Sequence, residues 1–463
     1  MSSKGLTKIF LIWTFLIWTR LTADSLVLDP DRAVELALKN NYQVKQQEEK
    51  LLEVAAGKAV AFSSFLPQVS VAGSWTRLGT LNEFEMVTPV YRRFRIPVYD
   101  PFTGQVIGFT DSIPMPAGAE TLSIPLGSQN NYLLRASVQQ TLFTWGKLFN
   151  AYRIAGLSLE MQKAAFEQAK QELKTRTIEA FYQALLAEKT KELLTESYEQ
   201  LARHVAQAEK LFNEGLATGL DVMRARVSLK NLANQVEQID NSTRLAHAAL
   251  RTLLGVAPET PLRLKAKLAA ESIGIELNSA IDSALKNRPE LVQLRQALRI
   301  AHLGVGIART ANLPTIFAAG NFDYKKPVGF EDRWGKDWNV TLGVSMPLFT
   351  GLSNIHKLKQ AKSRYRQSWL TVQQVEQAVR LEVEASLTSV QQEWRNIAYQ
   401  QENLTLTQEA FELAEKRYQN GLLSNLEFLD IQLQLTQARV GHLNALANYQ
   451  IARARFLRAI GKF

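Results

Sequence analysis

Three carboxylates follow a glycine within an otherwise helical stretch: Asp221 after Gly215, and Glu427 and Asp430 after Gly421. Carboxylates so placed do one of two kinds of work. They accept hydrogen bonds from the free amides at a helix start, or they are gathered by symmetry and present negative charge to whatever passes. Thr218 with Asp221, and Ser424 with Glu427, fit the S/T-x-x-D/E capping box, so capping ranks first for both acids. Asp430 lies one turn beyond Glu427 on the same face, too deep to cap, and ranks first as a charge-bearing residue. Other chemistry finds no footing. The histidines, His204, His247, His302, His356 and His442, never fall at metal-ligand spacing. Gly146-Lys147 lacks the upstream glycine of a phosphate loop, and the six methionines form no soft-metal relay. With no cysteine, a disulfide framework, a cysteine-anchored lipid and thiolate chemistry are excluded. The pattern points away from an enzyme and implies no cofactor and no metal.

Residues 1–23 are expected to be a secretory signal peptide. Lys4 and Lys8 give a positive start, Ile9 to Trp18 an apolar run, and Leu21-Thr22-Ala23 small residues for cleavage. That run is shorter than the roughly 20 residues of a membrane-spanning helix, and no later run reaches that length. The net charge of +10 falls to +7 without Lys4, Lys8 and Arg20. The remaining Lys and Arg are spread among Glu and Gln along helices, as on solvated faces, and no nucleic-acid partner is implied.

The elements that must hold the carboxylates come in two copies. Ala37 to Asn40 reads ALKN, and so does Ala284 to Asn287, an offset of 247 that also carries Leu66-Pro67 onto Leu313-Pro314. Leu142-Phe143-Thr144 recurs as Leu348-Phe349-Thr350 at an offset of 206, which also relates Phe212 to Tyr418, Gly215 to Gly421 and Gly255 to Gly461. The offsets differ by 41, so the first copy carries a 41-residue insertion between about Arg77 and Arg135. The reading divides the chain into repeat 1 (24–254), an equatorial linker (255–276) and repeat 2 (277–463).

Each copy reads as helix, two strands, very long helix, turn and shorter helix. Residues 30–65 and 277–312 are each expected as one helix ended by a Leu-Pro step. The long helices run from Lys147 to Asn213 and from Leu352 to Gln419, about 100 Å each at 1.5 Å per residue. Their apolar residues recur every seven positions: Phe166, Leu173, Ala180, Ala187, Leu194, Leu201, Ala208, and Val383, Val390, Ile397, Leu404, Phe411, Tyr418. That period is the coiled-coil signature. A returning helix of about half the length, stacked on a leading helix, matches one long helix, which implies a tall cylinder with a belt at mid-height.

Alternation marks the strands: Val69, Val71, Gly73 and Trp75 share one face, as do Val340, Leu342, Val344 and Met346. Four strands cannot close a barrel, and an open sheet leaves backbone groups that lipid cannot satisfy. Two chains would supply eight strands and three would supply twelve; spacing alone does not choose.

At this point the chain resembles the TolC or outer-membrane-factor family over nearly its whole length. Pro347-Leu348-Phe349-Thr350-Gly351 and Thr141-Leu142-Phe143-Thr144-Trp145-Gly146 resemble the family's strand-to-helix step, and Phe212 to Arg226 and Arg417 to Asp430 resemble its two helix-tip turns. The resemblance implies a mostly α protein with a small β part: a long α-helical coiled-coil barrel, and four strands per chain contributing to a trimeric 12-stranded transmembrane β-barrel. It implies a homotrimer in the cell outer membrane of a Gram-negative bacterium, in contact with outer-membrane lipid and projecting into the periplasm. Its role would be the exit duct of a tripartite efflux pump or type I secretion system, with a periplasmic adaptor and an inner-membrane pump as partners. The alternative is a non-channel coiled-coil protein of the envelope, which the strands and Leu-Pro steps argue against.

By the same resemblance Gly215-Leu216-Ala217 and Gly421-Leu422-Leu423 form the adaptor-docking tip, and Tyr418, Asp221, Glu427 and Asp430 the periplasmic gate. Tyr418 matches a gate tyrosine, whereas Leu423 stands where relatives carry a gate arginine; Arg417 or Arg224 are the substitutes at hand. The strand connections, 77–131 and 325–337, are expected as loops outside the cell.

Overall fold

The structure, a computed structural model, describes residues 26–271, 274–329 and 331–463. The expected signal peptide, residues 1–23, lies outside the described residues. The first copy runs β1 (Leu26–Leu28), α1 (Pro30–Asn40), α2 (Tyr42–Ser63), β2 (Gln68–Arg77), β3 (Asn82–Phe94), β4 (Pro97–Tyr99), β5 (Val106–Phe109), β6 (Ile113–Leu126), β7 (Asn130–Phe143), α3 (Lys147–Asn213) and α4 (Gly219–Leu254). After β8 (Leu262–Leu264) the second copy runs α5 (Leu277–Asn287), α6 (Pro289–Arg309), β9 (Thr315–Lys326), β10 (Gly335–Ser345), α7 (Ser353–Gln419) and α8 (Asn425–Ala459). The long helices are each 67 residues; the first has the expected bounds and the second starts at Ser353, one residue later than expected, because Leu352 lies at φ 62°. Contacts divide the chain into two units that each draw on both repeats.

The helical unit holds the described residues to Lys58, with Arg153–Val305 and Lys359–Phe463. Its core is built twice. Ala33, Ala37, Leu173, Leu250 and Leu254 pack in one cluster, and their counterparts Ala280, Ala284, Val379, Phe456 and Ile460 in a second. The linker is tied down too: β8 pairs in parallel with β1, and the carbonyls of Ala269 and Glu271 accept from the side chains of Gln450 and Tyr449.

The leading helices are not single, which corrects the expectation. The first breaks at Asn41 and the second at Arg288, both with extended backbone. Arg288 precedes Pro289, whose ring disfavours a helical residue before it. Asn41 caps instead, accepting from the Gln43 amide at 2.8 Å and donating to the Leu253 carbonyl at 3.0 Å. Arg288 does the equivalent work by donating to the Ala459 carbonyl at 2.6 Å.

The second unit, Ala59–Tyr152 with Gly306–Leu358, carries a four-stranded antiparallel sheet in the order β10-β9-β7-β2. Register gives it two unlike faces. Val69, Val71 and Trp75 of β2 share one with Leu134 and Val138 of β7, Phe322 and Tyr324 of β9, and Trp338, Val340, Leu342 and Val344 of β10. All eleven are exposed in the single chain. The other face is polar and internally bonded: Arg135 to Asp323 at 2.7 and 2.8 Å, Ser70 with Ser137 at 2.8 Å, Asn321 to Asn339 at 3.0 Å, Lys325 to Asp337 at 3.0 Å. One apolar face and one polar, hydrogen-bonded face are what a strand needs between lipid and water.

The connection 77–131 is not a loop. It holds two antiparallel pairs, β3 with β6 and β4 with β5. Prolines disguised it: Pro89, Pro114, Pro116 and Pro125 all lie within paired strands. Proline is tolerated there because a two-stranded ribbon consists entirely of edge strands.

Candidate functional site

Both helix hairpins of the helical unit reverse through the same device. Gly215 and Gly421 lie in the left-handed region, at φ 75° and 70°, where a side chain would be strained. The amide of Leu216 bonds the Leu211 carbonyl at 2.8 Å and that of Leu422 the Arg417 carbonyl at 2.9 Å, closing each long helix in the manner of a Schellman turn. The reversal pushes Leu216 and Leu422 into solvent, 74% and 73% exposed, while Ala217 and Leu423 beside them are half-buried.

Two of the three carboxylates are occupied at once. Thr218 and Asp221 form a complete capping box at the start of α4, and Ser424 and Glu427 form one at the start of α8. Asp221 accepts from the Thr218 hydroxyl at 2.6 Å and amide at 3.1 Å; Glu427 accepts from Ser424 at 2.7 and 3.0 Å. These bonds, hydroxyl first, hold both carboxyls below the usual carboxylate range. Asp430 caps nothing. It is exposed, accepts from the Gln434 amide group at 3.0 Å, and lines a groove of about 600 Å³ with Arg224, Leu220, Met223, Leu426 and Leu433.

Tyr418 faces inward. Its ring stacks on Phe428 at 4.9 Å and lies 4.9 Å from the ring of His204. Burial first, and then the Asp221 carboxylate, pushes its hydroxyl above the ordinary tyrosine range. His204, which sequence reasoning weighed only as a metal ligand, is buried at the centre of this cluster. Its Nε2 lies 2.7 Å from Asn425 Oδ1, and Asn425 Nδ2 donates to the Asp221 carbonyl at 2.9 Å. The second bond fixes the amide's orientation, so Oδ1 accepts and Nε2 carries the proton. One polar chain thus joins α3, α8 and α4. A sequence signal existed: His204 falls three residues after Leu201 and four before Ala208, in the core-facing register.

The chain thus combines strands with one apolar and one bonded polar face and two 67-residue helices that end in glycine turns. A family model described as outer membrane efflux protein matches residues 33–256 and 280–462. The chain belongs to the outer membrane efflux protein family. Membership sets its place in the outer membrane. Protein CyaE of Bordetella pertussis is 25% identical over 260 residues, 54% of this chain and 55% of the relative. The probable efflux pump outer membrane protein TtgC of Pseudomonas putida is 25% identical over 280 residues, 60% of this chain and 56% of the relative. The chain thus spans about half the length of these curated relatives. The solved Campylobacter jejuni CmeC outer membrane channel superposes with a TM-score of 0.76 at 20% identity, covering 94% of this chain and 85% of that one, so the fold is shared throughout. Among the described residues no helix is long and apolar enough to cross a membrane.

Proposed function

We propose that this outer membrane efflux family member is one protomer of a homotrimeric channel with no catalytic role. It would be the exit duct of a tripartite efflux pump or type I secretion system, joined to a periplasmic adaptor and an inner-membrane transporter. One observation carries the reading: the two-faced sheet ends in unpaired edges, β2 and β10. Lipid cannot satisfy those edges, and its four strands are too few to close on themselves. Pairing β2 of one copy with β10 of the next removes both edges of the four-stranded sheet, and three copies supply twelve strands. Residues 24–254 and 277–463 then act as two copies of one wall segment, with 255–276 as the equatorial linker.

In this reading Gly215, Leu216, Ala217, Gly421, Leu422 and Leu423 form the adaptor-docking tip, since exposed leucines on a rigid turn suit an apolar groove. Tyr418, Asp221, Glu427 and Asp430 line the periplasmic gate, with Asp430 as its free charge. Native mass measurement in detergent and conductance in planar bilayers test the proposal together. A trimer with discrete conductance steps is expected; a stable monomer without conductance overturns it.

A further inference from the structure

The segment between β2 and β7 is the continuation of one hairpin. The β2–β7 ladder ends at Arg77 opposite Asn130, the Leu78 amide then bonds the Gln129 carbonyl at 2.8 Å, and pairing resumes at Asn82 opposite Leu126. It runs on through Phe94 opposite Ile113 to Tyr99 opposite Val106. Beyond the sheet, from Asn82 to Tyr99, this ribbon extends about 60 Å at about 3.3 Å per residue. Ten paired residues of β2 already match the roughly 9–11 that cross a bilayer, so the ribbon lies past the apolar slab.

Its register sorts the side chains. Phe84 faces Ile124, Met86 faces Leu122, and Asn82 faces Leu126, which puts five apolar side chains on one face. The intervening pairs, Glu83 with Pro125, Glu85 with Ser123 and Val87 with Thr121, occupy the other, where the Ser123 hydroxyl donates to the Glu83 carboxylate. In the single chain all five apolar residues are exposed. A two-stranded ribbon with an uncovered apolar face is marginal in water, and such a face marks an interface.

We infer that this face is covered by the same face of the ribbons on the two other copies, forming a three-ribbon β-bundle that stands on the barrel. The inference rests on the trimer proposed above. The continuity of the chain argues for this occupant. β3 grows directly from β2, the strand that must meet the next copy, so barrel closure delivers three ribbons to one rim at high effective concentration. The edges argue for packing by faces rather than by added strands: Pro89, Pro114, Pro116 and Pro125 lack the N–H that edge pairing requires. Lipid is the poorer occupant, because the slab is already filled by β2 and β7.

The chain has no cysteine, so single cysteines report cleanly. M86C and L122C place a thiol on the apolar face, and E85C places one on the polar face at the same height. Each full-length variant, in outer-membrane vesicles, is treated with a short bis-maleimide and run on a denaturing gel, with trimer mass measured separately. M86C and L122C should give covalent dimers approaching two of every three chains, the limit set by one thiol per copy around a three-fold axis. E85C should give several-fold less. Trimers by mass with no more cross-linking in M86C and L122C than in E85C overturn the bundle while leaving the exit duct standing. Thiols of M86C and L122C that are shielded from a water-soluble maleimide yet fail to cross-link assign the face to lipid and also overturn it. A monomer by mass overturns both readings.

Discussion

Gly255 stands against Asn40. It ends α4 at φ 62°, and a Cβ built on it would lie 2.9 Å from the Asn40 Cβ and 3.0 Å from that residue's backbone carbon and oxygen. Gly461 meets Asn287 in the same way, with a Cβ at 3.1 Å from the asparagine's Cβ and backbone carbon. In both repeats the end of the returning helix is therefore sealed onto the break in the leading helix.

Gly255→Ala should lower stability by about 2–4 kcal/mol, combining the left-handed backbone with a contact against main chain that cannot yield. Gly57→Ala is the control. Gly57 lies within α2 with nothing within 4 Å of a built Cβ, so alanine there should be neutral or gain up to about 1 kcal/mol. Denaturant unfolding of the two variants in detergent distinguishes them; equal midpoints would contradict the close approach.

Arg288 carries the corresponding load in repeat 2. It is 4% exposed at the side chain and donates to the Ala459 carbonyl at 2.6 Å and to Glu382 at 2.6 Å. Arg288→Met should cost about 2 kcal/mol, less than a fully buried pair because the Glu382 side chain is half-exposed. The hydrogen bond from Arg288 holds the Glu382 carboxyl below its ordinary range. A depressed carboxyl stabilises the fold above the unfolded value, about 4.3, and loses that contribution as pH falls through the folded value. Acid titration of unfolding should therefore show a step below about pH 4.3 that is absent in Arg288→Met.

Much of this architecture was legible. Two offsets showed the duplicated order of elements, the seven-residue period of Leu173, Leu194 and Leu201 placed the buried seam of α3, and Thr218 and Ser424 announced the caps of α4 and α8. The breaks at Asn41 and Arg288 were hidden because composition does not change across them. Pro289 alone hinted at one, and in repeat 1 a side-chain cap takes its place. The ribbon was lost for a different reason. The alternation of Phe84 and Met86, and of Leu122, Ile124 and Leu126, was present, but prolines suggested a loop, and only pairing shows that they sit in edge strands. His204 was missed because a lone histidine carries no ligand spacing; its partner Asn425 is 221 residues away in sequence.

Removing charge at the proposed mouth should separate the acids by role. Asp430 is exposed and caps nothing, so Asp430→Asn should weaken cation preference in planar bilayers. Asp221→Asn should change selectivity less and instead loosen the start of α4 by up to about 1 kcal/mol through its damaged cap. In the proposed gate Leu423 takes the place that the resemblance gives to an arginine, so the resting channel should also conduct more than relatives that carry one there. Equal loss of selectivity in both variants would show that the Asp221 charge acts at the gate as freely as that of Asp430, despite its cap.

The tips should loosen in acid through His204. The imidazole is buried between Tyr418 and Phe428, and Nε2 is bonded to Asn425, which reaches the Asp221 carbonyl on α4. Burial lowers its affinity for a proton, and the Asn425 bond offsets only part of that. The folded value therefore lies below the ordinary one, near 6.5, so the unfolded chain binds the proton more readily. By linkage the contribution to stability is fully present above about pH 6.5 and is lost as pH falls toward the folded value, by at most about 1.4 kcal/mol per unit. Hydrogen exchange of the turns at 211–222 and 417–428 should thus quicken between about pH 7.5 and 5.5, after correction for the intrinsic rate, by up to tenfold per unit below about 6.5. His204→Gln keeps a donor for Asn425 Oδ1 but has no proton to gain. Its tips should exchange faster than the parent at neutral pH, because the ring contacts are gone, and show no further acid dependence. If the variant keeps the parent's acid response, the titrating group is another residue and His204 is only packing.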